Sequence, residues 1–158
     1  MIGPEALLGA ALVLAASAGD LKPIDPPRYR SLIASHRGRV ILVDFWATWC
    51  APCREQMPAL LALVKKLRHK PFLLVAISAD EPEQRKAASD FLARQGFPGP
   101  GYIKQIGSDE AFINAVSPQW SGAMPALFLY DQTGRLARSF IGETKPETVE
   151  AEILRLLR

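Results

Sequence analysis

Val40 to Trp46, "VILVDFW", is apolar at every position except Asp44. A strand reads this way when both of its faces are covered. Phe72 to Ser78, "FLLVAIS", has the same character. Between the two the period changes. From Arg54 to Arg68 the apolar residues fall at Met57, Leu60, Leu61, Val64 and Leu67, the spacing of one helix face. Lys65, Lys66 and Arg68 stand at the C-terminal end of that helix, where positive charge suits the dipole. Tyr29 to Ser35 predicts a short helix with Tyr29, Leu32 and Ile33 on one side. Leu21 to Pro27, with its prolines, reads as an extended lead-in.

The second half continues the alternation. Glu81-Pro82 opens a helix with Phe91 and Leu92 turned inward, and "GFPGPG" from Gly96 to Gly101 stops it. Tyr102 to Ile106 predicts a short strand, and Ser108 caps the helix "DEAFINAV". Ala126 to Tyr130 and Leu136 to Ile141 flank "DQTG", a hairpin turn. Pro146 to Leu157 closes the chain as a helix with a stripe of Val149, Ile153, Leu156 and Leu157. Strands alternating with helices, then a hairpin and a helix, predict an α/β fold. Its centre is a mixed β-sheet flanked by helices on both faces.

Residues 1–18 stand apart from this pattern. Ala6 to Ala18, "ALLGAALVLAASA", is uncharged and ends in a small-x-small pattern before Gly19. It is shorter than the roughly 20 residues of a membrane span and fits the apolar region of a secretory signal. The expectation is a signal peptide or N-terminal anchor over 1–18 and one domain over 19–158, working in the periplasm or otherwise outside the cytoplasm. A chain of 158 residues, 49% hydrophobic, suits a single packed domain. Its net charge of +3 is scattered, so no nucleic-acid footprint is expected. No G-x-G-x-x-G or P-loop pattern offers a nucleotide site.

The chemistry concentrates in "VDFWATWCAPCREQMP", Val43 to Pro58, which holds both cysteines of the chain. Cys50 follows a strand and Pro52 begins a helix, so Cys50 is expected near a helix N-terminus. Unpaired N–H groups and the dipole there favour thiolate over thiol. A fall in thiol pKa from about 8.5 to about 7 raises the thiolate fraction at neutral pH from about 3% to about 50%. Cys50 is thus the expected nucleophile. Cys53, one turn on, is placed to resolve a mixed disulfide. Two other readings compete. A zinc half-site needs two further ligands, and His36 and His69 are far apart in sequence. A purely structural bridge would close a tiny loop and remove little chain entropy.

Asp44 lies among Val, Leu and Phe. A carboxylate buried there should have a raised pKa, and near Cys53 it would act as the proton acceptor for that thiol. The alternative is a side chain turned to solvent at a strand end. Trp49, beside Cys50, is expected to cover the sulfurs and meet the substrate, whereas Trp46 and Trp120 are expected in the core. Ala51 and Pro52 carry no charge between the thiols, which argues for a reducing rather than a strongly oxidising pair.

"FWATWCAPC", Phe45 to Cys53, resembles the thioredoxin superfamily, and more closely its exported TlpA/ResA-like thiol:disulfide oxidoreductases. Asp44 matches the family's buried acid, Pro58 the proline of its active-site helix, and Gly142 the glycine after the last strand. "SGAMPALFLYDQTGRL", Ser121 to Leu136, is similar to the segment holding the cis-proline, the next strand and the hairpin. The resemblance implies a thioredoxin fold with a TlpA-like strand–helix insertion between Asp80 and Trp120. It implies a cis bond before Pro125, with Met124 and Pro125 facing the cysteines and the Met124 backbone pairing with an extended substrate. It also implies no cofactor beyond a redox-active Cys50–Cys53 disulfide, and no metal. The implied partners are protein disulfide substrates and a membrane or periplasmic thiol electron donor, with cytochrome c maturation or metal-site assembly as the setting and the protein a monomer. A net thiol oxidase would use the same residues in reverse. A thiol peroxidase usually has Thr where Ala47 stands, and a redox-inert peptide-binding module would leave the cysteines idle.

Overall fold

Strand β2, Val40–Trp46, is buried along its whole length and lies at the centre of the sheet. The computed structural model describes residues 20–158 apart from Ile106 and Ser108. The expected signal or anchor over 1–18 and the Ser108 cap fall outside these residues. In chain order the elements are β1 (Lys22–Ile24), α1 (Pro26–Ser35), β2, α2 (Ala51–Lys66), β3 (Phe72–Ser78), a 3-10 turn (Pro82–Gln84) and α3 (Arg85–Gln95). They continue with β4 (Gly101–Lys104), α4 (Asp109–Val116), β5 (Ala126–Tyr130), β6 (Leu136–Ile141) and α5 (Pro146–Leu156).

The sheet runs β1-β4-β3-β2-β5-β6. The pairs from β1 to β2 are parallel, and β2–β5 and β5–β6 are antiparallel. The sheet is mixed and helices cover both of its faces, as the alternating pattern led us to expect. Val40, Leu42 and Trp46 pack on Met57 and Leu60 of α2, Leu92 of α3 and Ile153 of α5. Ile41, Val43 and Phe45 point the other way, onto Tyr29 and Ile33 of α1 and Phe112 of α4. The alternation of one strand therefore joins two cores. β4 and α4 stand between α3 and the hairpin, which is the strand–helix insertion expected from the resemblance.

Boundaries shift where local chemistry outweighs periodicity. α2 begins at Ala51, one residue before the expected start at Pro52, with Cys50 in the N-cap position and Pro52 in the first turn. α1 begins at Pro26 because the Asp25 carboxylate accepts from the Arg28 amide at 2.8 Å. Pro82 opens a 3-10 turn, and the α-helix starts only at Arg85. β4 ends at Lys104 rather than Ile106. The proline-rich lead-in contributes β1, an edge strand, where Pro23 removes no bond the interior of the sheet needs. Among the described residues no helix is long and apolar enough to cross a membrane.

Candidate active site

Four residues carry the chain from β2 into α2. The Cys50 amide donates to the Ala47 carbonyl at 3.1 Å, closing a turn over Ala47–Cys50. The Cys50 carbonyl accepts from Arg54 at 3.2 Å and so begins the helix. Cys50 is the N-cap of α2 and no side-chain hydrogen bond caps the helix. Cys50 thus adjoins first-turn amides that have no carbonyl partner within the helix. Pro58 sits within the helix, where its ring omits the bond to Arg54.

The two sulfurs are joined in a disulfide, with Cα atoms 5.3 Å apart. Cys53 has no exposed surface, while Cys50 keeps 6% of its own. An approaching sulfur therefore meets Cys50 first. Trp49 is 67% exposed beside it. Ala51 is exposed and Pro52 half-buried at the start of the helix. Among the described residues no three His, Cys, Asp or Glu side chains gather as metal ligands would.

Asp44 is fully buried, which rejects the solvent-facing alternative. Its Oδ1 accepts from Gln56 Nε2 at 3.3 Å, and Oδ2 has no partner among the described residues. Burial lifts the carboxyl from 3.8 to about 7, against the smaller downward pull of the Gln56 bond. Gln56 stands one helical turn after Cys53 on α2, so acid and inner thiol address the same side of that helix. This acid changes protonation near neutrality, as a thiol's proton acceptor must.

The Met124–Pro125 peptide is cis, and Pro125 leads directly into β5. Ala126 pairs with Phe45, which brings this loop to the same end of the sheet as Cys50. Gly142 donates to the Pro125 carbonyl at 2.8 Å. Trp120 Nε1 donates to the Ala123 carbonyl at 2.9 Å and steadies the loop from inside. Met124 and Trp49 line one apolar groove of about 240 Å³ together with Phe45, Phe112, Ile113 and Trp120. Lys104, paired with Glu81 at 3.1 Å and Asp109 at 3.0 Å, also lines it. Trp46 is core, its ring centroid 5.0 Å from that of Phe91 in a tilted contact, with an indole N–H that has no partner among the described residues. Trp120 is 8% exposed, 4.8 Å from Phe45, and serves both core and groove wall.

Two residues join the site without being singled out by the sequence. Gln56 belongs to "REQMP" and gives no sign of facing a carboxylate across the layer. Asp80 follows β3 by two residues, and its buried carboxylate binds Thr48. A contact over so wide a separation leaves no local pattern to read.

Residues 28–157 match the Redoxin family. The chain is 28% identical to the protein named thiol-disulfide oxidoreductase ResA of Bacillus thuringiensis over 120 residues, 76% of this chain and 65% of that protein. It is 31% identical to the thiol:disulfide interchange protein HelX of Rhodobacter capsulatus over 122 residues, 76% of this chain and 62% of that one. The chain thus spans a little under two thirds of the length of these relatives. The crystal structure of a thiol:disulfide interchange protein of the thioredoxin family from Chlorobium tepidum superposes with a TM-score of 0.67. It shares 24% identity and covers 79% of this chain and 84% of its own, a likeness that speaks for the thioredoxin fold. Since the family match takes in the cysteine turn, the cis-proline loop and almost every helix and strand around them, the chain belongs to the Redoxin family.

Proposed function

We propose that the protein is a thiol:disulfide oxidoreductase that reduces protein disulfides outside the cytoplasm. The observation that carries this is the placement of a disulfide at the start of α2, with Cys50 keeping a small exposed edge and Cys53 wholly enclosed. In the reduced protein the Cys50 thiolate, held by the first-turn amides of α2, attacks one sulfur of a substrate disulfide. A mixed disulfide forms and the other substrate sulfur leaves as a thiolate. Cys53 loses its proton to Asp44 and attacks Cys50 Sγ. The second substrate sulfur leaves, so the substrate gains two electrons and the Cys50–Cys53 bond re-forms. The groove beside Trp49 and Met124 supports contact with an extended, partly apolar polypeptide, its backbone pairing at Met124 next to cis-Pro125.

The resemblance to TlpA/ResA-like proteins supports cytochrome c or metal-site assembly as the setting, a thiol donor of the membrane or periplasm as reductant, and residues 1–18 as the export signal or anchor. The test is capture. In Cys53→Ser the mixed disulfide on Cys50 cannot be resolved, and cells expressing it should accumulate adducts that a reductant releases. Absence of adducts, or insulin reduction that survives Cys50→Ser, overturns the proposal. A reduction potential above about −150 mV would reverse the direction and make the protein a net oxidase.

A further inference from the structure

The Ala47–Cys50 turn is held by more than its own hydrogen bond. Asp80 is wholly buried, and its carboxylate accepts from the Thr48 amide at 3.1 Å (Oδ1) and 3.0 Å (Oδ2). It accepts from the Thr48 hydroxyl at 2.6 Å and the Ser78 hydroxyl at 2.6 Å, and its own amide donates to Ser78 Oγ at 3.1 Å. One residue earlier, the Ala79 amide donates to the Trp46 carbonyl at 2.8 Å. The end of β3 thus grips the cysteine turn at two successive points.

The site contains two buried acids with opposite surroundings. Asp44 has one donor and one bare oxygen, an arrangement with room for a proton. Asp80 has donors on both oxygens, and each of those bonds ties the cysteine turn or the end of β3 to the carboxylate. The turn needs such a hold. Trp49, at 67% exposure, has too little packing to fix its own position, and Cys50 follows it. Their placement depends on the backbone at Thr48.

We infer that Asp80 is a positioning residue: through Thr48 its carboxylate sets the turn that presents Trp49 and Cys50 to an incoming protein disulfide. Its hydrogen bonds run to Thr48 and Ser78. The effect should be larger for a folded protein disulfide, which must dock against Trp49, than for a small disulfide that needs only the sulfur.

Two readouts test this, and only the second rests on the exchange activity proposed above. In the oxidised protein, Asp80→Asn and Thr48→Val should lower hydrogen-exchange protection of the residue-48 and Cys50 amides by about tenfold, with the Leu42 amide in the core unchanged. In the reduced protein the same variants should lose about tenfold in kcat/KM toward a protein disulfide and less than about twofold toward oxidised glutathione. Thr48→Ser, which keeps the hydroxyl, should restore both. Unchanged local protection overturns the inference. So does an equal loss toward both disulfides that follows thermal stability. If Asp80→Asn fails to fold, the Thr48→Val and Thr48→Ser pair decides, since both keep the carboxylate.

Discussion

Gln56 donates its side-chain amide to Oδ1 of Asp44 at 3.3 Å, while Oδ2 of the same carboxylate is buried without a partner among the described residues. The acid is half supported. One donor favours the ionised form, and the apolar layer around it disfavours that form more strongly.

Stability should therefore depend on pH through Asp44. Its carboxyl is raised from 3.8 to about 7 in the folded protein. Between those values the folded state keeps a proton that the unfolded chain has released. The contribution is fully favourable below the unfolded value and is lost as pH rises through the folded one. At about 1.36 kcal/mol per unit, the loss approaches on the order of 4 kcal/mol above neutrality. Asp44→Asn should remove it. Urea midpoints of the variant and the parent should nearly meet around pH 4 and diverge by pH 8, with the variant more stable. Curves that run parallel across this range would show that Asp44 titrates normally.

Gln56 should tune that acid. Gln56→Leu removes the side-chain donor to Oδ1 and leaves more apolar surface, so the Asp44 carboxyl should titrate above about 7. Carboxyl-carbon NMR of the oxidised protein reads this directly, with no turnover required. If Asp44 serves Cys53 as proton acceptor, the acid limb of the turnover profile should move up in step. A midpoint that stays still would mean the Gln56 bond is too long to matter.

Gly122 is held at φ +86°, and a Cβ there would come within 2.9 Å of Ile113 Cδ1, a side chain that lines the groove. Gly122→Ala should cost about 1–2 kcal/mol through the left-handed backbone alone. It should also push Ile113 inward. Binding of an apolar segment should weaken while the chemistry at sulfur is untouched, which raises KM and leaves kcat nearly unchanged. A stability loss with KM unaltered would remove Ile113 from the substrate path.

How much of this was legible in the chain depends on whether the signal was local. β2 is read directly, because a fully covered strand writes its burial into every position, and β3 nearly so, being buried from Leu74 onward. The start of α2 is written in Cys50 and Pro52, and the turn at Asp131–Gly134 in "DQTG". The edge position of β1 is not, since pairing with β4 at Lys22 and Tyr102 depends on a fold already formed. The site divides in the same way. Asp44 betrays itself as a charge in an apolar run, but Gln56 and Asp80 are polar residues in polar company. Only the approach of α2 to β2, and of β3 to the cysteine turn, gives them partners.

The far core offers a test of packing separate from the redox site. Tyr29 and Tyr130 bring their hydroxyls to 2.6 Å, with side chains 1% and 6% exposed. Burial, and then the neighbouring phenol, hold the Tyr29 hydroxyl well above its ordinary pKa, so the pair stays neutral at working pH. A buried hydroxyl deprived of its partner keeps its desolvation cost, so either single change to Phe should destabilise by about 1–3 kcal/mol. Tyr130→Phe should be the worse of the two, because it strands the deeper hydroxyl of Tyr29. With both changed no polar group is left unmatched, and the two rings, 6.4 Å apart, keep their contact. The double variant should then cost less than the sum of the singles, a positive coupling that urea denaturation of all four proteins would measure. Strict additivity would mean that each hydroxyl finds another partner when its neighbour is gone.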